Sequence, residues 1–361
     1  MERPLPDVLN VLLFARASTR LEERVRAIAP GRLNVVSVWE DFMEEMRPDW
    51  PPAAFERYAR GVMPQRSREE KEALLAGAHV ALLATLPYPR SLAPRLPNLL
   101  WVHLAFAGVG DLKDSSWWGG PFLLTSGRGY TAALPIAESL LAGVYMLAKR
   151  FDKAALNSAA ANFDAAAYGP MQLVSGKTLA IIGLGGIGGH TARIARGSGM
   201  RVIATRRSAL TRSRDVDGVD ELFPPAELKA MLAEADFVAV CVMRTAETER
   251  MLDRAAFEAM KPGAFLLNIA RGEIVEEAAL VEALHSGHLG GAYLDVWEND
   301  SAGSNAPSAA LRGAPNVIFT PHISNRSDTP QSFGVDVFCD NLARLLQGEP
   351  LINVVDWQRG Y

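Results

Sequence analysis

"IIGLGGIGGH", residues 181–190, is the stretch that decides the fold. It continues the apolar run "KTLA" and leads into "TARIARGSG", so a glycine turn joins a strand pattern to a helix pattern. Gly183 permits a tight turn, Gly185 lets the backbone approach a pyrophosphate, and Gly188 allows close helix–strand packing. The helix start offers free N–H groups to phosphates. The stretch predicts a dinucleotide-binding unit, the alternative being a packing turn without ligand.

The next strand of this unit ends in "VIATRRS", which bears on the choice between two dinucleotides. An acidic residue normally stands about 20 residues after the glycine turn and accepts hydrogen bonds from the 2′-hydroxyl of NAD. Arg206 occupies that position, Arg207 and Ser208 follow it, and Arg212 and Arg214 add charge nearby. Guanidinium groups pair with phosphate through charge-assisted bonds. The sequence therefore predicts NADP as the preferred cofactor, with NAD also accepted; the alternative is an ordinary basic loop.

Two series of short apolar runs alternate with helical patterns along the chain. The first contains "VLNVLLF", "LNVVSVW", "HVALLAT", "LLWVHLAF" and "FLLTS"; the second contains "KTLAIIG", "RVIAT", "FVAVCVM", "AFLLNIA", "GGAYLDV" and "NVIFT". The second series is almost uniformly apolar, as parallel strands buried on both faces are. The sequence predicts an α/β protein with two doubly wound parallel-sheet domains, of the Rossmann or flavodoxin type, and a cleft between them.

Length and composition exclude several classes of protein. The chain has 361 residues, of which 49% are hydrophobic and 22% charged, and this fits two globular domains. A net charge of −4 without a basic block argues against nucleic acid as a partner, and the apolar runs are poor membrane spans. Cys241 and Cys339 lack a motif, and we expect buried thiols in a reducing cytoplasm. No histidine pair has convincing metal-ligand spacing, so we expect no metal.

Three stretches of the second series carry side chains that suit carbonyl reduction. "NIARGEIV" contains Arg271, "LDVWEND" contains Asp295, Glu298 and Asp300, and "FTPHISN" contains His322. Each stretch follows a predicted strand. Because loops at the carboxyl ends of parallel strands gather around the ligand crevice, we expect all three stretches to approach the reactive end of the cofactor.

These motifs, in this order, resemble those of the D-isomer specific 2-hydroxyacid dehydrogenases, a family that includes glyoxylate/hydroxypyruvate reductases and phosphoglycerate dehydrogenases. The resemblance covers most of the chain and is strongest in "LPIAESLLA", "GKTLAIIGLGGIG", "MKPGAFLLNIARGEIVEEAALVEAL", "GGAYLDVWEND" and "NVIFTPHIS". It implies that Arg271 holds the substrate carboxylate and that His322 donates a proton to the carbonyl oxygen. The implied activity is NADPH-dependent reduction of a small 2-oxo acid, such as glyoxylate or hydroxypyruvate, to the D-2-hydroxy acid.

The resemblance also implies the remaining binding residues. Asp295 resembles the aspartate that contacts the nicotinamide carboxamide. Gly108 and Val109, in "AFAGVGDL", resemble the backbone loop whose N–H groups meet the substrate carboxylate. The implied cofactor-binding residues are Gly183, Gly185, Gly186, Ile187, Gly188, Arg206, Arg207, Ser208, Thr248, Ala270, Arg271, Asp295 and His322.

The same resemblance implies how the domains are divided. A substrate domain, residues 1–128, is completed by residues 323–361 and encloses a cofactor domain, residues 129–322. The strand count alone would give two consecutive domains instead. The apolar stretch "LPIAESLLAGVYMLAKRF" supplies a surface through which the cofactor domains of a homodimer would pair.

The acid that orients His322 is where the sequence departs from the family. The family usually has glutamate, often followed by proline, at the position of Asp300, and no proline follows here. Because aspartate is one methylene shorter, the partner is either Asp300, which we favour, or Glu298, or neither acid reaches the imidazole. The last case describes a weak enzyme or a dinucleotide-sensing co-regulator with little turnover. The presence of both Arg271 and His322 favours the enzyme.

Overall fold

The computed structural model describes residues 4–50, 61–85, 87–109, 112–130, 132–168, 171–300, 306–328 and 333–358. The chain forms two compact units, a first unit of Met1–Thr131 with Pro330–Tyr361 and a second unit of Ala132–Thr329. Each unit contains one predominantly parallel sheet with helices packed on it. The predicted α/β class with two doubly wound sheets is confirmed.

The first unit is built on five parallel strands in the order β2-β1-β3-β4-β5, the flavodoxin-like order. The strands are β1 Leu9–Phe14, β2 Leu33–Ser37, β3 Val80–Leu83, β4 Trp101–Leu104 and β5 Leu123–Ser126. Among the residues that the structure describes, its α-helices are Thr19–Arg26, Met43–Met46, Arg68–Gly77 and Phe333–Gln347. Short 3₁₀ turns occupy Trp39–Phe42, Arg47–Asp49 and Ala93–Arg95. Ser67 and Glu70 form a capping box that starts the third of these helices.

The C-terminal helix belongs to the first unit although it is distant from it in sequence. His103 of β4 lies with Nε2 2.9 Å from the carbonyl oxygen of Gly334 and Nδ1 2.7 Å from Oγ1 of Thr125. The Trp101 and Phe338 rings stack with centroids 5.1 Å apart. A Cβ atom at Gly334 would lie 2.0 Å from the carbonyl oxygen of Ala105, so the helix start rests directly on backbone. Cys339 of this helix is buried, whereas Cys241 of the second unit is partly exposed.

The second unit is built on eight strands in the order β13-β12-β11-β10-β6-β7-β9-β8. The strands are β6 Thr178–Ile182, β7 Arg201–Thr205, β8 Ser213–Val216, β9 Val219–Phe223, β10 Phe237–Val240, β11 Ala264–Asn268, β12 Leu289–Leu294 and β13 Val317–Phe319. Its α-helices are Ala133–Lys149, Phe151–Ala159, Gly186–Gly197, Leu228–Ala233, Arg254–Ala259, Glu277–His285 and Ala309–Gly313. The 3₁₀ turns are Ala165–Tyr168, Pro225–Glu227 and Gly272–Ile274.

The sequence did not predict β8 and β9, which form an antiparallel hairpin at one edge of the second sheet. Their residues, "SRDV" and "VDELF", are too polar to match the buried strands that the apolar pattern detects. Asp217 and Gly218 join them with φ values of 51° and 77°, the left-handed conformations of a type I′ turn. An Asp-Gly pair is a strong hairpin signal, and it was present in the sequence.

The order of the second sheet fixes where a ligand can bind. β6 lies between β7 and β10, so the connections leave β6 in opposite directions at this switch point. The loops that follow β6, β10, β11, β12 and β13 all start from the same, carboxyl edge, because these strands are parallel. No helix within the described ranges is long and apolar enough to span a bilayer.

Candidate active site

The glycine turn after β6 has the shape that a pyrophosphate requires. Gly183 has φ 103°, and a Cβ atom there would lie 2.8 Å from the carbonyl oxygen of Cys241 after β10. A Cβ atom at Gly188 would lie 2.1 Å from the carbonyl oxygen of Gly183, so only glycine allows this close helix–turn contact. Gly185 faces open space and caps the helix Gly186–Gly197 without a side-chain hydrogen bond. The first N–H groups of the helix, including that of Ile187, therefore suit a phosphate.

Arg206 and Arg207, which follow β7, differ from each other in exposure and contacts. Nη1 of Arg206 lies 2.8 Å from Oδ2 of Asp217, and the two side chains are 38% and 48% exposed. Nε of Arg206 is buried and finds no acceptor among the described residues, which leaves this group suited to an added anion. Arg207 and Ser208 are exposed. The guanidinium of Arg212 lies 3.8 Å from the centre of the Phe223 ring.

Arg212 and Arg214 belong to an ion-pair network of the hairpin instead. Arg212 pairs with Glu221 at 3.2 Å and with Glu234 at 3.1 Å. Arg214 lies 3.7 Å from the same Glu221 carboxylate, which is buried. The sequence showed these two arginines only as added charge near Arg206 and could not show the hairpin that brings them to Glu221.

His322 follows β13 and contacts a carboxylate. Its Nδ1 lies 2.7 Å from Oδ2 of Asp300, and the side chains of the histidine and the acid are 28% and 4% exposed. Glu298 points elsewhere, with Oε1 3.4 Å from Nη2 of Arg250. Of the alternatives that the sequence left open, the structure therefore brings Asp300 to the imidazole. Within the described residues, Nε2 of His322 makes no hydrogen bond.

Asp295 holds the loop that carries His322. Its side chain is 0% exposed. Oδ1 accepts hydrogen bonds from Thr320 Oγ1 at 2.6 Å and from Ile323 N at 3.0 Å, and Oδ2 accepts one from Ser324 N at 3.1 Å. The resemblance implies that Asp295 contacts the nicotinamide carboxamide; in the structure its carboxylate accepts from the Thr320 hydroxyl and from two backbone N–H groups.

Arg271 follows β11 and is brought towards the Asp300 loop by its neighbour. Its side chain is exposed, and Nη1 donates a 2.6 Å hydrogen bond to the carbonyl oxygen of Ala270. A Cβ atom at Gly272 would lie 1.9 Å from the carbonyl carbon of Trp297 and 2.3 Å from the nitrogen of Glu298. The loops after β11 and β12 therefore touch backbone to backbone. Sequence analysis missed Gly272, for which the "RG" pair was the available signal.

Two further predicted cofactor residues lie in structured turns at this edge. Thr248 Oγ1 donates to the carbonyl oxygen of Met243 at 2.6 Å and accepts from the nitrogen of Thr245 at 2.8 Å, so it shapes the loop after β10. The nitrogen of Ala270 donates to Oδ1 of Asn268 at 3.0 Å. Within the described ranges, no cluster of His, Cys, Asp and Glu could hold a metal ion.

The predicted substrate loop lies in the first unit. Gly108 and Val109 follow β4, and Val109 is buried with its carbonyl oxygen accepting from Leu112 N at 3.0 Å. The N–H groups of Gly108 and Val109 donate no hydrogen bond to a described residue. Such N–H groups can serve an anionic ligand.

The chain is similar to known proteins over the region that carries this site. Residues 141–324 match the family model described as "D-isomer specific 2-hydroxyacid dehydrogenase, NAD binding domain". A glyoxylate reductase of Korarchaeum cryptofilum is 34% identical over 197 residues, 53% of this chain and 56% of that protein. A glycerate dehydrogenase of Methylorubrum extorquens is 29% identical over 80% of this chain and 88% of its own length. The alignments with the glyoxylate reductases span about half of those proteins.

Solved structures extend the similarity to the whole chain. A D-isomer specific 2-hydroxyacid dehydrogenase family protein from Aeromonas salmonicida is 27% identical with a TM-score of 0.70, covering 97% of this chain and 99% of that one. The family model alone covers more than half of the chain. With its glycine turn, its Asp300–His322 contact and its sheet order, the chain belongs to the D-isomer specific 2-hydroxyacid dehydrogenase family.

Proposed function

We propose that the protein reduces a small 2-oxo acid, of the glyoxylate or hydroxypyruvate type, to the D-2-hydroxy acid, with NADPH preferred over NADH. The observation that carries this proposal is the 2.7 Å contact between His322 and Asp300 at the carboxyl edge of a dinucleotide-binding sheet. The names of the related glyoxylate reductase and glycerate dehydrogenase support the substrate class. The second unit is the cofactor domain in this proposal, and the first unit is the substrate domain.

His322 is the proposed proton donor. Because Nδ1 faces Asp300, the proton that reaches the substrate carbonyl oxygen leaves from Nε2. Asp300 orients the ring and stabilises the imidazolium by its charge. The nicotinamide supplies the hydride when the cofactor is bound. Arg271 binds the substrate carboxylate through its planar guanidinium, and the N–H groups of Gly108 and Val109 are further proposed donors to the substrate.

The proposed cofactor contacts follow from the glycine turn and the arginines. The backbone from Gly183 to Gly188, including Gly186, holds the pyrophosphate at the helix start. Arg206, Arg207 and Ser208 bind the 2′-phosphate, to which the buried and unpartnered Nε of Arg206 adds a donor. Thr248 and Ala270 line the nicotinamide end in this proposal.

A homodimer is also proposed, through the apolar helix Ala133–Lys149 and its continuation. Phe151 and Leu156 are 54% and 71% exposed on the next helix, Phe151–Ala159. Exposed large apolar side chains are typical of association surfaces. The molar mass of the purified protein, measured by light scattering, tests this part of the proposal.

The enzyme is tested with a panel of 2-oxo acids and both reduced cofactors, following the loss of reduced-nicotinamide absorbance. His322→Ala should lower kcat by about 100-fold or more, because positioned acid–base groups typically contribute 10²–10⁴-fold. His285→Ala is the matched control, since it removes an exposed imidazole from the same unit. Cofactor binding without turnover of any acid would reject the reductase and favour a dinucleotide-sensing protein.

A further inference from the structure

Four hydrogen bonds join Asp295 to the loop after β13. The three donors to its carboxylate, Thr320, Ile323 and Ser324, flank His322 on both sides along the chain. The fourth bond runs from the nitrogen of His322 to the backbone carbonyl oxygen of Asp295, at 3.0 Å. The buried residue Asp295 therefore holds the chain before, at and after His322, the proposed proton donor.

The backbone of His322 requires this support. Its φ is 52°, in the left-handed region that side chains other than glycine rarely adopt. Such a conformation persists only where the surrounding structure holds it. A second contact secures the far end of the loop, because Oγ of Ser139 donates to the carbonyl oxygen of Ser324 at 3.2 Å.

We infer that Asp295 is a positioning residue, which holds the left-handed turn that presents His322 to Asp300. This inference rests on the proposed function for its effect on turnover. The family resemblance implies that Asp295 contacts the nicotinamide carboxamide. A carboxylate has about four acceptor sites, and three of those of Asp295 are taken by the His322 loop while the side chain is 0% exposed. One acceptor site of the carboxylate is left for a ligand, so holding the loop is compatible with the nicotinamide contact that the resemblance implies.

The chain offers a matched control for this carboxylate. Asp41 of the first unit is buried, and its Oδ1 accepts hydrogen bonds from Gln65 N at 2.8 Å and Arg66 N at 2.9 Å. Its Oδ2 pairs with the Arg66 guanidinium. Asp41→Asn removes the same charge and disturbs the same kind of loop anchor. It should lower thermal stability and leave kcat per folded molecule unchanged.

The test compares Asp295→Asn with Asp41→Asn in the full-length protein. Three quantities are measured: amide hydrogen exchange of the peptide spanning residues 320–328, the Kd for NADPH, and kcat with KM. Asp295→Asn should speed exchange in that peptide and lower kcat by about 100-fold, since a displacement of about 1 Å can have that effect. The Kd for NADPH should stay close to that of the native protein. Thr320→Val, which removes a single donor, should give a smaller change in the same direction if Asp295→Asn does not fold.

Two outcomes would overturn the inference. If Asp295→Asn weakens NADPH binding while exchange of the 320–328 peptide stays as in the native protein, Asp295 is a cofactor contact. If kcat per folded molecule is unchanged, as in Asp41→Asn, the anchor has no part in the reaction. A native protein without turnover would instead remove the proposed function, and the exchange measurement would still decide whether Asp295 holds the loop.

Discussion

Replacing Gly272 by alanine should abolish the proposed reductase activity without removing any group that would touch the substrate. The added Cβ would lie 1.9 Å from the carbonyl carbon of Trp297, 2.1 Å from its oxygen and 2.3 Å from the nitrogen of Glu298. All three are backbone atoms, so no side-chain rotation can relieve the overlap. The loop that carries Arg271 and the loop that leads to Asp300 must separate.

The size of this separation sets the expected effect. Ordinary van der Waals contact begins near 3.4 Å, so the two backbones must move apart by about 1.5 Å. A displacement of about 1 Å in a reacting geometry can lower the rate by about 100-fold. Because Arg271 and Asp300 lie on opposite sides of the contact, kcat/KM of Gly272→Ala should fall by at least about 100-fold.

The assay is steady-state reduction of the best 2-oxo acid, together with NADPH titration and thermal unfolding. Cofactor binding should persist, because the glycine turn after β6 lies on a different loop from Gly272. Gly197→Ala is the control, since a Cβ atom at that helical position meets nothing within 4 Å. A folded Gly272→Ala protein with native kcat/KM would refute the reasoning that this backbone contact sets the distance between the two functional loops.

Asp300→Asn should lower kcat by at least about tenfold, since the imidazole loses the carboxylate that orients it. The kcat of Glu298→Gln, assayed in parallel, should stay within about twofold of the native value, because this change breaks only an exposed pair. Asp217→Asn should release Arg206 and raise NADPH affinity by up to about fivefold, because an exposed pair is worth about 0–1 kcal/mol. The affinity for NADH should not rise. An equal rise for NADH would show that the effect of Asp217 does not act through the 2′-phosphate. Burial lowers the pKa of His103 from 6.5 to about 4, so the folded state resists protonation of this ring. The neutral His103 ring stabilises the folded state above pH 6.5. As the pH falls towards 4, the free energy of unfolding should decrease by about 3 kcal/mol because of this residue. Urea unfolding across this range should show a smaller loss in His103→Gln than in the native protein.

Much of the fold was predictable because parallel strands buried on both faces are recorded in the sequence as apolar runs. β6, β7, β10, β11 and β12 each coincide with such a run, and the glycine turn marks the switch point beside β6. β8 was missed because it is the edge strand of the sheet and keeps polar residues, and β9 was missed because Asp220 and Glu221 interrupt its apolar run.

The site was predictable as a set of residues and much less as a set of contacts. Arg271, Asp300 and His322 each follow a strand, which the sequence shows directly. The partners of Asp295 and Arg206 were not predictable, because each partner comes from a different strand connection. Hydrogen bonds such as Asp295 to Ser324 depend on the register of two loops, and local patterns do not record that register.

Several contacts between the loops at the carboxyl edge of the second sheet involve backbone atoms. Gly272 meets the backbone of Trp297, the nitrogen of Arg250 donates to the carbonyl oxygen of Glu273 at 2.8 Å, and the Asp295 carboxylate binds two backbone N–H groups beyond β13. Contacts of this kind do not depend on which side chains the loops expose. In the proposed function, substitutions of exposed side chains on these loops would change the choice of 2-oxo acid and leave these contacts in place.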